Sequence, residues 1–180
     1  MKNHSGENEL NFNDDNISKK VYYIILIFSF LWLLLIFLAP VLKDMGGIFA
    51  DISSYLYMFF SPVCHQEDAR SFHIFSEKIG VCSRCLWIYS GFTAGTVLYP
   101  LKYKLTNENS PSVFFIIAAS ALIALDVLLD GQEIIKNSFI SRSVTGFLIG
   151  LTLPFYLIPG SVRFFSEVNL FLKNKSAGKA

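Results

Sequence analysis

Along the chain, long apolar runs alternate with short polar stretches. From Val21 to Leu42 the run VYYIILIFSFLWLLLIFLAPVL carries no charge and opens on Tyr22-Tyr23, a pair suited to the headgroup layer. It holds Pro40 near its end and reads as the first spanning helix. The segment 79–101 is long enough for a second span. Cys82, Arg84 and Cys85 stand in its opening turns, which places those turns at the membrane surface or in a protein-lined recess. Ser110-Pro111 gives a cap and first-turn signal for a third span over 111–129, closed by Asp130-Gly131-Gln132. A fourth span over 143–158 contains Pro154, which should kink it. Between the first and second spans, Ile48, Ile52, Leu56 and Phe60 recur every four residues while Asp51, Ser53 and Ser54 interrupt the apolar character. Residues 45–60 are therefore expected to lie in the interface as an amphipathic helix, with a short fifth span as the competing reading. The pattern predicts an all-α integral membrane protein with four transmembrane helices, or five on that competing reading, an interfacial helix and a polar Cys/His loop over 61–85.

Composition agrees with this reading. Of 180 residues, 53% are hydrophobic and 16% charged, where a soluble domain sits near roughly 25% charged. Mean hydropathy is +0.48. With 15 Lys+Arg against 14 Asp+Glu there is no basic excess for nucleic acid, so the expected partner is the lipid bilayer. At roughly 20 residues per span, four spans use about 80 positions and make 21–160 one membrane domain. Residues 1–20 are polar, rich in Asn and acidic residues, and lack the basic start and cleavage site of a secretory signal. They are expected to be a disordered tail, and 161–180 a basic one. Lys and Arg near span ends are more numerous on the side of both tails and of the loop holding Lys102 and Lys104, which puts the termini of a multi-pass cell-membrane protein in the cytoplasm. The Cys loop and the Asp-Gly-Gln turn then share the opposite face.

Every cysteine and two of the three histidines fall between positions 64 and 85: Cys64, His65, His73, Cys82 and Cys85. A CxxC pair at the start of a helix puts both sulfurs on one face, where exposed amide N–H groups stabilise thiolates. In a metal reading, Cys64, Cys82 and Cys85 supply three thiolates and His73 or His65 the fourth ligand of a Cys3His zinc site. His73 is the better geometric choice, because adjacent residues such as Cys64 and His65 less often converge on one ion. In a redox reading, Cys82 and Cys85 form a reversible disulfide with Cys64 as the exchanging thiol, and electrons pass to quinone. Thiol oxidoreductases of that kind normally need a second cysteine pair, and this chain has only three cysteines. The bland reading is a single structural disulfide plus a spare thiol, or three inert cysteines.

Asp126 and Asp130 lie one turn apart on the third span, so both carboxylates share a face. A charge at membrane depth costs about 2.5 to 3.5 kcal/mol on insertion scales, which makes them functional candidates. Arg142, at the entrance to the fourth span, is the expected counter-ion of Asp130, with Gln132 beside it; a pair that only locks two helices is the structural alternative. Arg70 and Arg84 flank the cysteines, as donors to an anion or as side chains snorkelling to headgroups. Gly91/Gly95 and Gly146/Gly150 form GxxxG patterns suited to close helix approach.

The order of these motifs resembles the family catalogued as domain of unknown function 2085. Cys64-His65-Gln66, Arg70-Ser71-Phe72, Gly80-Val81-Cys82 with Arg84-Cys85, Tyr89-x-Gly91, Asp130-Gly131-Gln132, and Arg142 with Thr145-Gly146 and Gly150 carry the resemblance, from about Pro40 to Pro159. Leu86-Trp87 stands where that family usually has a small residue. The resemblance implies a small prokaryotic multi-pass membrane protein and a site, without a reaction. The leading expectation is a zinc site beside a polar pocket of Asp126, Asp130, Gln132, Arg142, Arg70 and Arg84, acting on a lipid-linked substrate. Thiol exchange with quinone is the second reading, and a noncatalytic membrane subunit with a structural metal site the third.

Overall fold

The computed structural model describes residues 4–107, 109–131 and 138–177. The uncharged run that begins at Val21 forms the middle of α1 (His4–Met45). Gly46 and Gly47, at φ 69° and 56°, occupy the left-handed region that glycine enters without a Cβ penalty, and there the chain reverses. α2 (Gly47–Phe60) folds back antiparallel along the end of α1: Ser53 donates to the Ala39 carbonyl at 2.7 Å, and Phe60 meets Trp32 edge-on. The helix expected to lie in the interface is thus present, but it packs against α1. Of the predicted stripe only Phe60 is fully buried, while Ile48 and Ile52 are exposed. Ser53 decides this, since its small hydroxyl lets the backbones approach and finds a carbonyl there. With 14 residues, α2 is about 21 Å long, short of the roughly 30 Å hydrocarbon core.

Pro40 has no N–H to give to the carbonyl of Ile36, four residues earlier. That carbonyl accepts instead from the Gly80 N–H at 3.2 Å. Gly80 is also where a side chain would crowd: a Cβ would stand 3.3 Å from both the Ile36 oxygen and the Phe60 ring. The loop after α2 contains a 3-10 turn (Asp68–Arg70) and a hairpin that the sequence reading does not anticipate. In it β1 (His73–Ile74) pairs antiparallel with β2 (Glu77–Lys78). Its two turn residues, Phe75 and Ser76, both have positive φ, as a two-residue hairpin turn requires. Lys43 of α1 holds Glu77 at 2.5 Å.

The remaining helices are α3 (Ser83–Lys102), α4 (Val113–Gly131), α5 (Phe139–Thr152) and α6 (Pro154–Ala177). α5 and α6 are separated only by Leu153, so the expected kink at Pro154 is an interruption of the helix. α1, α3, α4 and the α5–α6 run alternate in direction. Trp32 meets Tyr89 and Val21/Tyr22 meet Tyr99 between α1 and α3, and Tyr156 reaches the Ser112 carbonyl at 2.7 Å near the far end of α4. Among the described residues, Asn16–Met45, Val113–Asp130 and Phe139–Phe171 are long and apolar enough to cross a membrane. α3, the second expected span, has the length but less apolar character. Its glycine face is covered by α5, with the most extensive packing in the protein. A Cβ on Gly95 would lie 2.5 Å from the Leu151 oxygen, and one on Gly146 2.7 Å from the Arg84 oxygen. Gly91 and Gly150 face the Phe147 and Ile88 carbonyls in the same way.

The stretch before Val21, expected to be disordered, is helical from His4, and α6 runs through the expected basic tail to Ala177. The second extension has a visible cause: Ile158 and Val162 are buried with Val21, Tyr22 and Tyr99, and Arg163 pairs with Glu167 one turn on at 3.0 Å.

Gly150→Leu should lower the stability of the detergent-solubilised protein by about 1–3 kcal/mol or more, whereas Gly160→Leu, with open space around it, should leave thermal unfolding unchanged. Pro40→Ala restores an intrahelical donor to Ile36. Amide hydrogen exchange should then become faster at Gly80 than in the parent protein.

Candidate functional site

Three elements bring the cysteines together. Cys64 follows the last turn of α2, where its N–H donates to the Phe60 carbonyl at 3.0 Å. Cys82 is the N-cap residue of α3, and Cys85 lies in its first turn. The three sulfurs all stand within 4.8 Å of one another. Gly80 sets the depth of this group by anchoring the segment before Cys82 to Ile36. The thiols pack with Ile36, Phe60 and Val81 and against Trp32 and Leu33, inside the apolar run of α1. Ile36 is about 14 Å from the end of α1 at 1.5 Å per residue. Cys64 is buried in this cluster, and Cys82 and Cys85 are half-buried against it.

Cys82 holds the N-cap position of α3, where the helix dipole favours a thiolate. Cys64 is pushed up, chiefly because its proton is held by Cys82, although its sulfur also accepts from the N–H of Cys82 at 3.1 Å and of Gln66 at 3.4 Å. Gln66, at φ 50°, is fixed by its side chain on the Tyr57 carbonyl (2.6 Å) and by Lys78 on its own carbonyl (2.9 Å).

Neither expected histidine ligand joins the sulfurs. His73 lies on β1 with its Nε2 3.2 Å from Asp68, and His65 is exposed. The hairpin carries His73 away, because residue 73 pairs with Lys78 across the strand. Leu86 turns into the core with Ile36, and Trp87 packs edge-on against Phe147, away from the thiol side.

The carboxylates and arginines do converge. Asp126 of α4 accepts from the Arg84 guanidinium at 2.5 Å, from the Ser141 hydroxyl, and from Thr145 at 3.4 Å; its side chain is 7% exposed and that of Arg84 18%. One turn on, Asp130 pairs with Arg142 at 3.2 Å and with Arg70 at 3.6 Å, and Arg70 also holds Glu67 at 3.0 Å. Both Asp126 and Asp130 have further interactions. The Asp130–Arg142 pair is the one the spacing indicates. The Arg84–Asp126 pair and the roles of Ser141 and Thr145 escape a sequence reading, although two hydroxyls one turn apart in an apolar helix are the available signal. Gln132 lies outside the described residues. On the other side of α3, an apolar groove of about 380 Å³ runs between α1, α3 and the α5–α6 junction, lined by Ile24, Phe28, Trp32, Tyr89, Phe92 and Leu157. Trp32 and Tyr89 also pack against the thiol core.

The sequence profile of a family described as predicted membrane protein (DUF2085) matches residues 64–156. An uncharacterised protein of Methanocaldococcus jannaschii is 40% identical over 144 residues, covering 78% of this chain and 92% of its own. No solved structure matches.

Removing one partner of a buried pair leaves an uncompensated charge. Arg84→Ala should accordingly cost about 3–5 kcal/mol in reversible unfolding in mild detergent. Arg70, whose side chain is 45% exposed, should cost no more than about 1 kcal/mol when replaced by alanine.

Proposed function

The chain belongs to the DUF2085 family of predicted membrane proteins, and on that premise we propose a metal-binding role in which Cys64, Cys82 and Cys85 hold a zinc ion through three thiolates. The observation that carries this reading is the convergence of the three sulfurs within 4.8 Å. Zinc in tetrahedral thiolate coordination, with Zn–S near 2.3 Å, needs sulfurs about 3.8 Å apart, so closing the set asks for movements of about 1 Å or less. The N-cap position of Cys82 at the start of α3 favours the deprotonated form a metal requires. With His73 paired to Asp68 and His65 exposed, the fourth position is left to a ligand, which is the arrangement of a reactive site rather than a closed structural one.

Held by Cys64, Cys82 and Cys85, a zinc ion would supply Lewis-acid chemistry at the open position. The chain's own part is to exclude bulk water, fix the sulfurs and supply charge nearby. Of the two carboxylates, Asp130, shared between Arg70 and Arg142 with a side chain 14% exposed, is the more open, since Asp126 is enclosed by Arg84, Ser141 and Thr145. The groove lined by Trp32 and Tyr89 supports a ligand that carries a hydrocarbon chain, hence a lipid-linked substrate.

Protein purified in detergent without chelator should contain about one zinc per chain. Cys64→Ser, Cys82→Ser or Cys85→Ser should lose it, while His65→Ala and His73→Ala should keep it. Metal-free protein in which Cys82 and Cys85 react with a thiol reagent only after reduction overturns the metal reading in favour of thiol–disulfide exchange.

A further inference from the structure

Arg84 sits inside the CxRC motif, in the first turn of α3 between Cys82 and Cys85, and the structure holds it from two sides. Its carbonyl lies against Gly146 of α5, so closely that a Cβ there would come within 2.7 Å. Its guanidinium reaches α4, where Asp126 takes it at 2.5 Å while accepting from Ser141 and Thr145 of α5. The residue between the two cysteines of the motif is therefore tied through its side chain to a carboxylate that itself joins α4 to α5. Asp126, with a side chain 7% exposed, is joined to this helix start by the Arg84 guanidinium.

We infer that Asp126 is a positioning residue for the thiolate site, setting the start of α3 through Arg84 and thereby the geometry in which Cys82 and Cys85 meet a metal. This rests on the metal reading above and adds to it that the metal site is coupled to the packing of α3, α4 and α5. A carboxylate that orients a ligand-bearing segment from outside the coordination sphere typically changes metal affinity by about 10- to 100-fold when it is lost. In this protein the orienting group acts on the helix start that carries Cys82 and Cys85 rather than on a ligand side chain.

The test is titration of the full-length, detergent-solubilised protein with Co2+, followed by its visible and thiolate charge-transfer absorption and by competition with Zn2+. Asp126→Asn should weaken Co2+ binding by about 10- to 100-fold and change the absorption envelope at unchanged helix content. Arg84→Lys, which keeps the charge but not the planar fork, should shift both in the same direction. Glu77→Gln, which removes only the hairpin's ion pair with Lys43, should bind as the parent does. A purely structural role for Asp126 would lower thermal stability and leave affinity and spectrum in place, and that result overturns the inference while the metal reading stands. If Asp126→Asn does not fold, parental affinity and spectrum in Arg84→Lys overturn it equally. Absence of any stoichiometric Co2+ or Zn2+ binding by the parent protein overturns the metal reading itself.

Discussion

Between lipid-facing helices there is little hydrophobic gain, because acyl chains are as apolar as leucine, and close association has to come from surfaces that touch. In this protein that surface is the contact of α3 with α5, where Gly91, Gly95, Gly146 and Gly150 let the two backbones meet at distances no Cβ would permit. The rest of the polar architecture depends on it. With α5 lying on Arg84, the guanidinium is delivered to the side where α4 presents Asp126, and Ser141, Arg142 and Thr145 come with the same helix. α4, which is otherwise exposed along most of its length, is held there by charge pairs and hydroxyls.

A second constraint fixes the cysteines. A proline near the end of a spanning helix leaves a carbonyl unpaired in a medium that offers no water, and such a group has to find a donor within the protein. The Gly80 N–H is that donor for Ile36, and the close approach it needs draws the segment carrying Cys82 to the depth of Trp32 and Ile36. α2, folded back on α1 by Gly46 and Gly47, delivers Cys64 to the same level. The thiol group and the charge network then share α3 as their common wall, and Arg84, between the two cysteines of the CxRC motif, belongs to both.

Much of this was legible beforehand. An uncharged run of the length of 21–42 has no soluble alternative, and GxxxG spacing, clustered cysteines and Asp130 facing Arg142 follow from periodicity and charge alone. The hairpin was not legible, because its turn uses Phe75-Ser76 instead of the Asn-Gly type that announces positive φ. Nor was the departure of His73 from the sulfurs, since strand pairing with Lys78 decides which way it goes. The order of polar and apolar residues along α2 gave its helical character but not its neighbour, which a hydrogen bond from Ser53 to Ala39 determines.

By itself, then, the sequence determined the solvent, the helices and the clustering of cysteines and charged residues, because each of these depends on composition and on spacing along the chain. Which residues meet was decided only by the tertiary structure. Arg84 with Asp126, three sulfurs without a histidine, and a released carbonyl on α1 filled from the loop are pairings between elements. They arise because a buried charge or an unsatisfied backbone group in a low-dielectric medium is costly enough to select, among many helix arrangements, one that provides it a partner.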